Sequence, residues 1–469
     1  MNKTIINRRT AIKTFGLATV ASTMPSVVSA MQSMRIFSKN AIRIAKSGFK
    51  TEFPNLSTAA TAPASKMQAG KVKIAIAGTG NRGTGHVRTL LNLDDVEIVG
   101  VCDLDRTKAE NAAALCEKAG RTKPAVFCHD GNTYREMLDS TKPDAVIIAT
   151  YWDSHTAIAL YAMNRGIYPG IEVPAALTVK DTWKLVETSE KTGIPCMMLE
   201  NWSFRQDNLA LLNMKRMGMF GDIVHCHCAH SHDCIDHWFF DATTGNQKWP
   251  AEYLLKYNRD QYPTHSVGPI LSWMDINRGD IFTEIYSTVS ASKGINAYFK
   301  RKFGDDHPNA KVKWKQGDIV TSTLKTRSGK TLVINYDMQL PRPYSNRWLL
   351  QGTKGVYDEE KNAIYLVGNS PKYHEWEAWK PYEEQYNHKW WKTDYSSHSH
   401  GGTDFVMLNE FIEAVRVKGP TPIDVYDSAV MTAIVELSGI SIQKNAPVPF
   451  PDFTKGKWTT NQPYFALDK

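Results

Sequence analysis

The sequence lacks what would mark a disulfide-stapled scaffold, a nucleic-acid binder or a membrane spanner. Its seven cysteines lie at 102, 116, 128, 196, 226, 228 and 234 of 469 residues. An odd number without tight regular spacing excludes a disulfide framework. Several sit in apolar runs, where cysteine acts as a small hydrophobe. Basic runs are lacking too. The net charge is +8, but Lys3, Arg8, Arg9 and Lys13 supply four of those charges in a first stretch of thirty residues that holds no acid. The remaining charge is spread too thinly for a nucleic-acid footprint. Past the N-terminus no segment reads as a membrane span. What remains is a globular composition, 42% hydrophobic and 22% charged, in a chain too long for one ordinary core. Two domains plus extra segments are expected.

The N-terminus reads as an address. Asn7-Arg8-Arg9-Thr10-Ala11-Ile12-Lys13 precedes an apolar stretch from Phe15 to Val28, and Ser29-Ala30 offers a small-residue cleavage site. This is a signal peptide over 1–30, and its paired arginines resemble a twin-arginine signal read by the Tat export machinery. The alternative is an ordinary secretory signal. Either one implies export, with a periplasmic location expected. Twin-arginine export carries folded proteins, which suits an enzyme that leaves with a dinucleotide already bound. Residues 31–70 show no clear period and read as an arm or linker.

Residues 71–200 read as a Rossmann domain. Lys71 to Ala77 is a buried strand running into Gly78-Thr79-Gly80-Asn81-Arg82-Gly83, a G-x-G-x-x-G motif. Gly78 permits the tight turn, Gly80 lets backbone approach a pyrophosphate, and Gly83 lets the next helix pack close. A second strand, Val96 to Cys102, ends at Asp103, where an acid accepts from the adenosine ribose and repels a 2′-phosphate. NAD is therefore the expected cofactor. Strands at Ala145–Thr150, Ile167–Val173 and Pro195–Leu199 alternate with helices, one of them capped by Thr178. Their carboxyl ends, where such sheets bind ligands, carry Trp152–His155, Glu172-Val173 and Asn201.

From Asp222 the pattern changes to alternating runs at Ile281–Ser292, Asp318–Thr326, Lys330–Met338 and Arg347–Gly352. This reads as an open, mainly antiparallel sheet over 201–469, followed by helices near Asp404–Val417 and Val425–Gln443. The fold class is thus α/β plus α+β. The run from His225 to Cys234 alternates His and Cys, and period two puts Cys226, Cys228, His230 and His232 on one face. No standard zinc spacing is met, so no metal is expected. Instead His230 and His232 are expected to emerge into a site at the strand end.

This arrangement resembles the glucose-fructose oxidoreductase and inositol dehydrogenase-like superfamily, whose open sheet also serves self-association. Ordinary oxidoreductases of that group carry Glu-Lys-Pro after the fifth strand, where this chain has Glu172-Val173-Pro174. A narrower resemblance is to glycoside hydrolase family 109, the NAD-dependent N-acetylgalactosaminidase-type enzymes. It rests on the glycine motif, Glu172-Val173-Pro174, Glu200-Asn201, Gly218-Met219-Phe220-Gly221, Tyr262-Pro263-Thr264-His265, Val312 to Asp318, Arg342-Pro343-Tyr344, His400-Gly401-Gly402 and Asp424 to Asp427. The resemblance implies NAD contacts at Asn81, Arg82, Asp103, Trp152, Asp153 and Ser154. It implies further ones at His155, Glu172, Val173, Asn201 and Tyr262. Substrate contacts are implied at Tyr262, Pro263, Thr264, His265 and Tyr344, with His232 at the reacting sugar; His230 and His400 are added as substrate-side candidates. At three positions this chain departs, having Phe204 and His230 for Tyr and Pro250 for Arg.

Family analogy implies a glycosidase that oxidises the sugar C3 hydroxyl with NAD, removes the acidified C2 proton, eliminates the C1 leaving group, adds water and returns the hydride. His232, His265 and Tyr344 are the candidate catalytic residues. Two other readings stand beside it: an exported sugar oxidoreductase, and a silent sugar-binding protein that kept NAD for structure.

Overall fold

The computed structural model describes residues 70–391 and 393–467. The expected signal at 1–30, and the arm apart from its last residue, lie outside them. In the N-terminal half, near-continuous apolar runs become strands covered on both faces. β1 (Val72–Ala77), β2 (Val96–Cys102), β3 (Ala125–Phe127), β4 (Ala145–Ile148), β5 (Tyr168–Ile171) and β6 (Met197–Met198) pair all-parallel in the order β3-β2-β1-β4-β5-β6. The order reverses between β1 and β4, which opens a crevice beyond their carboxyl ends. The crossover helices are α1 (Asn81–Leu90), α2 (Arg106–Lys118), α3 (Thr133–Thr141), α4 (Trp152–Met163) and α5 (Val179–Thr192). Thr178 caps α5 as expected, its side chain accepting from Asp181 N.

The second sheet has nine strands. β7 (Ile223–Ser231), β8 (Phe282–Val289), β9 (Ile319–Thr326), β10 (Thr331–Asp337), β11 (Leu349–Gly352), β12 (Gly355–Asp358), β13 (Ala363–Leu366), β14 (Glu377–Ala378) and β15 (Val448–Pro449) lie in the order β14-β13-β12-β11-β7-β10-β9-β8-β15. Only β7 with β10 is parallel, so the sheet is mainly antiparallel as the alternation predicts. Along β7, Cys226, Cys228 and His230 are buried while His225 and His227 are half-buried, which is the period-two pattern.

Helices cover the buried face of this sheet. α6 (Thr264–Trp273) packs on β7, and α8 (Val425–Lys444) packs on β8 and also on α5 and β6. Between these two in sequence, but before α8, α7 (Thr403–Arg416) packs on α1 and β1. The C-terminal helices thus return to the Rossmann sheet. Among the described residues α8 alone is long and apolar enough to cross a membrane, and with 72% of its apolar window buried it is a core helix.

Candidate active site

The glycine loop has the geometry of a phosphate cradle. Gly78 has φ +87, and a Cβ there would lie 2.5 Å from Ala149 O. A Cβ on Gly83 would lie 1.9 Å from Gly78 O, whereas at Gly80 nothing lies within 4 Å of that position. Two glycines are therefore fixed by tight packing, and the third leaves open space at the N-terminus of α1. Asp103 stands beside the loop, its Oδ2 accepting from Thr79 N at 2.7 Å and its Oδ1 from Asp105 N at 3.0 Å. The carboxylate shapes the loop and is half-buried, with acceptor sites to spare. Asn81 opens α1 next to Gly80.

Arg82 ties the crevice together. Its Nε donates to Glu172 Oε1 at 2.6 Å, while Nη1 and Nη2 donate to Asp404 Oδ2 and Oδ1 at 2.7 and 3.0 Å. One guanidinium therefore joins α1, the end of β5 and the start of α7 through a bidentate fork. Burial alone would push the Glu172 carboxyl up, but Arg82 and His86 hold it down at about 2. Asn201 Nδ2 donates to Asp404 Oδ1 at 2.9 Å, and its Oδ1 is buried without a partner. His400, in a left-handed conformation, contacts Asp404 Oδ2 at 2.7 Å.

The segment after β4 is held by its own hydrogen bonds. His155 is buried, with Nδ1 2.9 Å from Pro174 O and Nε2 3.1 Å from Thr150 O. Ser154 Oγ lies 2.6 Å from Thr150 Oγ1, and Asp153 Oδ2 accepts from Tyr253 OH at 2.7 Å. Trp152 Nε1 donates to Val173 O at 3.0 Å, and the ring stacks on Tyr262 at 6.0 Å. Val173 is buried, so the position that carries Lys in ordinary relatives here supplies a main-chain carbonyl and no proton.

On the other side of Tyr262 lies a ring of titratable and aromatic groups. Tyr262 is 5.1 Å from the His230 and His265 rings, and Tyr344 is 4.9 Å from His232 and 5.7 Å from His230. His265 Nδ1 is 2.9 Å from Glu200 Oε1, and Glu200 is fully buried. The same carboxylate accepts from Trp202 N and Ser203 N, both at 2.9 Å, and from Ser203 Oγ. A Cβ on Gly268 would lie 2.0 Å from Glu200 Oε2, so glycine there is what admits the carboxylate. Tyr344 OH accepts from Trp202 Nε1 at 2.7 Å and donates to Asn346 Oδ1 at 2.9 Å; burial pushes the phenol up, so it stays protonated. Burial also lowers His230 and His232, with neighbouring imidazoles adding to it, so both stay neutral at pH 7. Pro263 and Thr264 form the start of α6 that presents His265, and Thr264 is buried with its Oγ1 unpaired.

The family described as "Glycosyl hydrolase 109, C-terminal domain" matches residues 204–460, and the oxidoreductase family with an NAD-binding Rossmann fold matches 72–199. The chain belongs to glycosyl hydrolase family 109. It is 38% identical to a family 109 protein of Stenotrophomonas maltophilia, covering 85% of this chain and 92% of that one. It is 37% identical to a Tannerella forsythia protein named alpha-N-acetylgalactosaminidase, covering 86% and 91%. A levoglucosan dehydrogenase solved with NADH and L-sorbose superposes with a TM-score of 0.64 at 16% identity, over 82% of this chain and 100% of that one, which is a likeness of fold. This family 109 member is an NAD-dependent glycosidase. The open Gly80, the tight Gly78 and Gly83, and the orphaned Asn201 Oδ1 fit the dinucleotide. Asp103 borders that loop through Thr79 N, and Arg82 and Asn201 meet at Asp404.

Sequence reading singled out His232, His265 and Tyr344 but missed Glu200 as a partner, Trp202 and Asp404. Glu200-Asn201 stands at a strand end in the sequence, and that position is the only local signal for the pairing. Asp404 stands more than two hundred residues from Asn201 and carries no local pattern.

A stability prediction arises beside Tyr262. Asp260 is buried, with Oδ1 taking Tyr262 N at 3.0 Å and Oδ2 unpaired, and burial pushes its carboxyl up to about 7. Its folded value lies above the unfolded one of about 3.9. Stability from this group is thus full below about pH 4 and is lost as pH rises to about 7. Asp260→Asn should match the parent at pH 4 and exceed it by about 1–3 kcal/mol at pH 8, as read by urea unfolding at both pH values.

Proposed function

We propose that the protein cleaves glycosides without net redox change, by transient oxidation of the sugar at C3 and elimination of the C1 leaving group. Residues 71–200 hold the dinucleotide and 201–469 the sugar. The Glu200–His265 pair facing the His230, Tyr262 and Tyr344 cluster carries this reading. NAD, when bound, supplies the acceptor for a sugar hydride and the donor for its return. With its Nδ1 on Glu200, His265 keeps Nε2 free to take the hydroxyl proton at C3. His232, held neutral, has a lone pair for the C2 proton, and Tyr344, whose proton is committed to Asn346 Oδ1, keeps an acceptor site for a sugar hydroxyl. Arg82, joined to Glu172 and Asp404, would help to hold the dinucleotide in the crevice.

Because the Tannerella relative is named alpha-N-acetylgalactosaminidase, N-acetylgalactosaminides are the proposed substrate class. Of the three departures, Phe204 is fully buried against Trp390, and Pro250 is buried at the start of the short helix Ala251–Lys256. His230 alone faces the cluster, so the sugar preference turns on it. The test is incubation of the purified protein with aryl glycosides and no added NAD. Aglycone should appear with no build-up of reduced nicotinamide, and denatured protein should release about one dinucleotide per chain. Reduced nicotinamide accumulating in step with sugar oxidation would instead reveal an oxidoreductase.

Residues 1–30 are proposed to direct export through the Tat machinery to the periplasm, on the strength of Arg8-Arg9 and the apolar stretch behind them. Changing both arginines to lysine should leave precursor in the cytoplasm; unaltered export would point to the ordinary secretory route. The outer sheet face carrying His227, Asn335, Thr323 and Tyr286 is the proposed self-association surface, which light scattering of the mature protein reads.

A further inference from the structure

We propose that His232, Cys234 and His237 form a site for one thiophilic divalent cation of the Zn2+ class, on the substrate side of the active site. Their ligand atoms all lie within 4.8 Å of one another. The backbone explains the convergence. His232 N and Cys234 N donate to Asp337 O and Met338 O, which pins the turn after β7 to the end of β10. A single π-helical turn, Ile235–Phe239, then brings His237 back over His232, with ring centroids 4.8 Å apart. Such wide turns recur at functional sites because they re-aim a side chain out of α register.

The donor set selects the cation. Two imidazoles and one thiolate suit Zn2+ and its borderline neighbours, whereas Mg2+ and Ca2+ demand oxygen. Three protein ligands leave a fourth position open to water or substrate. Tetrahedral coordination needs ligand atoms about 3.5 Å apart, so modest side-chain rotations close the site. Cys234 is the buried anchor, and His237 is exposed and free to turn. The thiol passes its proton to solvent as the metal–sulfur bond forms. Among the described residues neither the His232 ring, the His237 ring nor the Cys234 thiol makes a hydrogen bond, so nothing must be broken first. Cys234 also packs in an apolar cluster with Ile235, Phe239 and Met338. Packing explains its burial, but not two imidazoles without hydrogen bonds converging on its sulfur. The spacing His-x-Cys-x2-His matches no standard zinc pattern, which is why sequence reading expected no metal.

Occupancy would take the lone pair of His232, so the cation would inhibit; this consequence rests on the role given to His232 above. The experiment titrates the NAD-loaded protein with Zn2+ against a chromophoric chelator, and with Co2+ while recording absorption. One equivalent should bind, and Co2+ should give a thiolate-to-metal charge-transfer band. Cys234→Ser should abolish the band, and Cys234→Ser and His237→Ala should each weaken binding at least about tenfold. The surface variant His237→Ala should keep metal-free activity and resist Zn2+. No band, or equal binding in both variants, overturns the site. A Cys234-dependent band with activity untouched by the metal leaves the site standing and overturns the role of His232.

Discussion

A glycoside lacking its 3-hydroxyl should bind this protein and stay uncleaved, at least about 10⁴-fold slower than its parent. Without that hydroxyl no hydride can leave C3, no ketone forms, and the C2 proton keeps its ordinary acidity. The loss should fall on turnover alone, with the 3-deoxy compound acting as a competitive inhibitor. In heavy water the intact substrate should yield sugar carrying deuterium at C2, because elimination breaks that C–H bond. The rival chemistry, direct displacement at C1, needs two carboxylates flanking the glycosidic bond. The buried carboxylates at this site are not free for that. Glu172 is tied to Arg82 and His86, and Glu200 takes hydrogen bonds on both oxygens. Cleavage of the 3-deoxy compound with hydrogen retained at C2 would falsify the elimination route.

The parts of the fold that the sequence showed best are those with strong local periodicity. β1, the glycine loop and β2 read straight from an apolar run, a motif and a second run, and Thr178 announced α5. Weak or short elements escaped. β3 has three residues, and β12 to β14 are brief strands whose places depend on β11 rather than on their own pattern. The site was legible where chemistry sits in a compact motif, as in Tyr262-Pro263-Thr264-His265. Contacts across long separations were not. Arg82 with Asp404 joins residues 322 apart, and Glu200 with His265 joins residues 65 apart. The turn that brings His237 over His232 also escaped, since one extra residue per turn leaves no periodic trace. The motif points Asp103 at the ribose and against a 2′-phosphate, but not at the loop, where its carboxylate also receives Thr79 N, so its removal would disturb the loop as well as the ligand.

Glu200→Gln should lower kcat by about 10²–10³ while bound NAD and KM stay close to the parent's. Four groups converge on this carboxylate: His265 Nδ1, Trp202 N, Ser203 N and Ser203 Oγ. A carboxylate accepts from all of them, but an amide has one acceptor oxygen and an NH2 that only donates. If the amide oxygen faces Ser203, the NH2 meets His265 and favours the tautomer with the proton on Nε2, which is the wrong atom for a base. If the oxygen faces His265, the Ser203 N–H loses its partner, at about 1–3 kcal/mol of stability. Thermal unfolding separates that cost from the kinetic one. The decisive readout is the pairing itself. His265→Ala alone should cost as much as His265→Ala with Glu200→Gln, because a positioning group has nothing to act on once its histidine is gone. Losses that add instead would mean that Glu200 merely holds the turn after β6, and the base at C3 would have to be sought at His232.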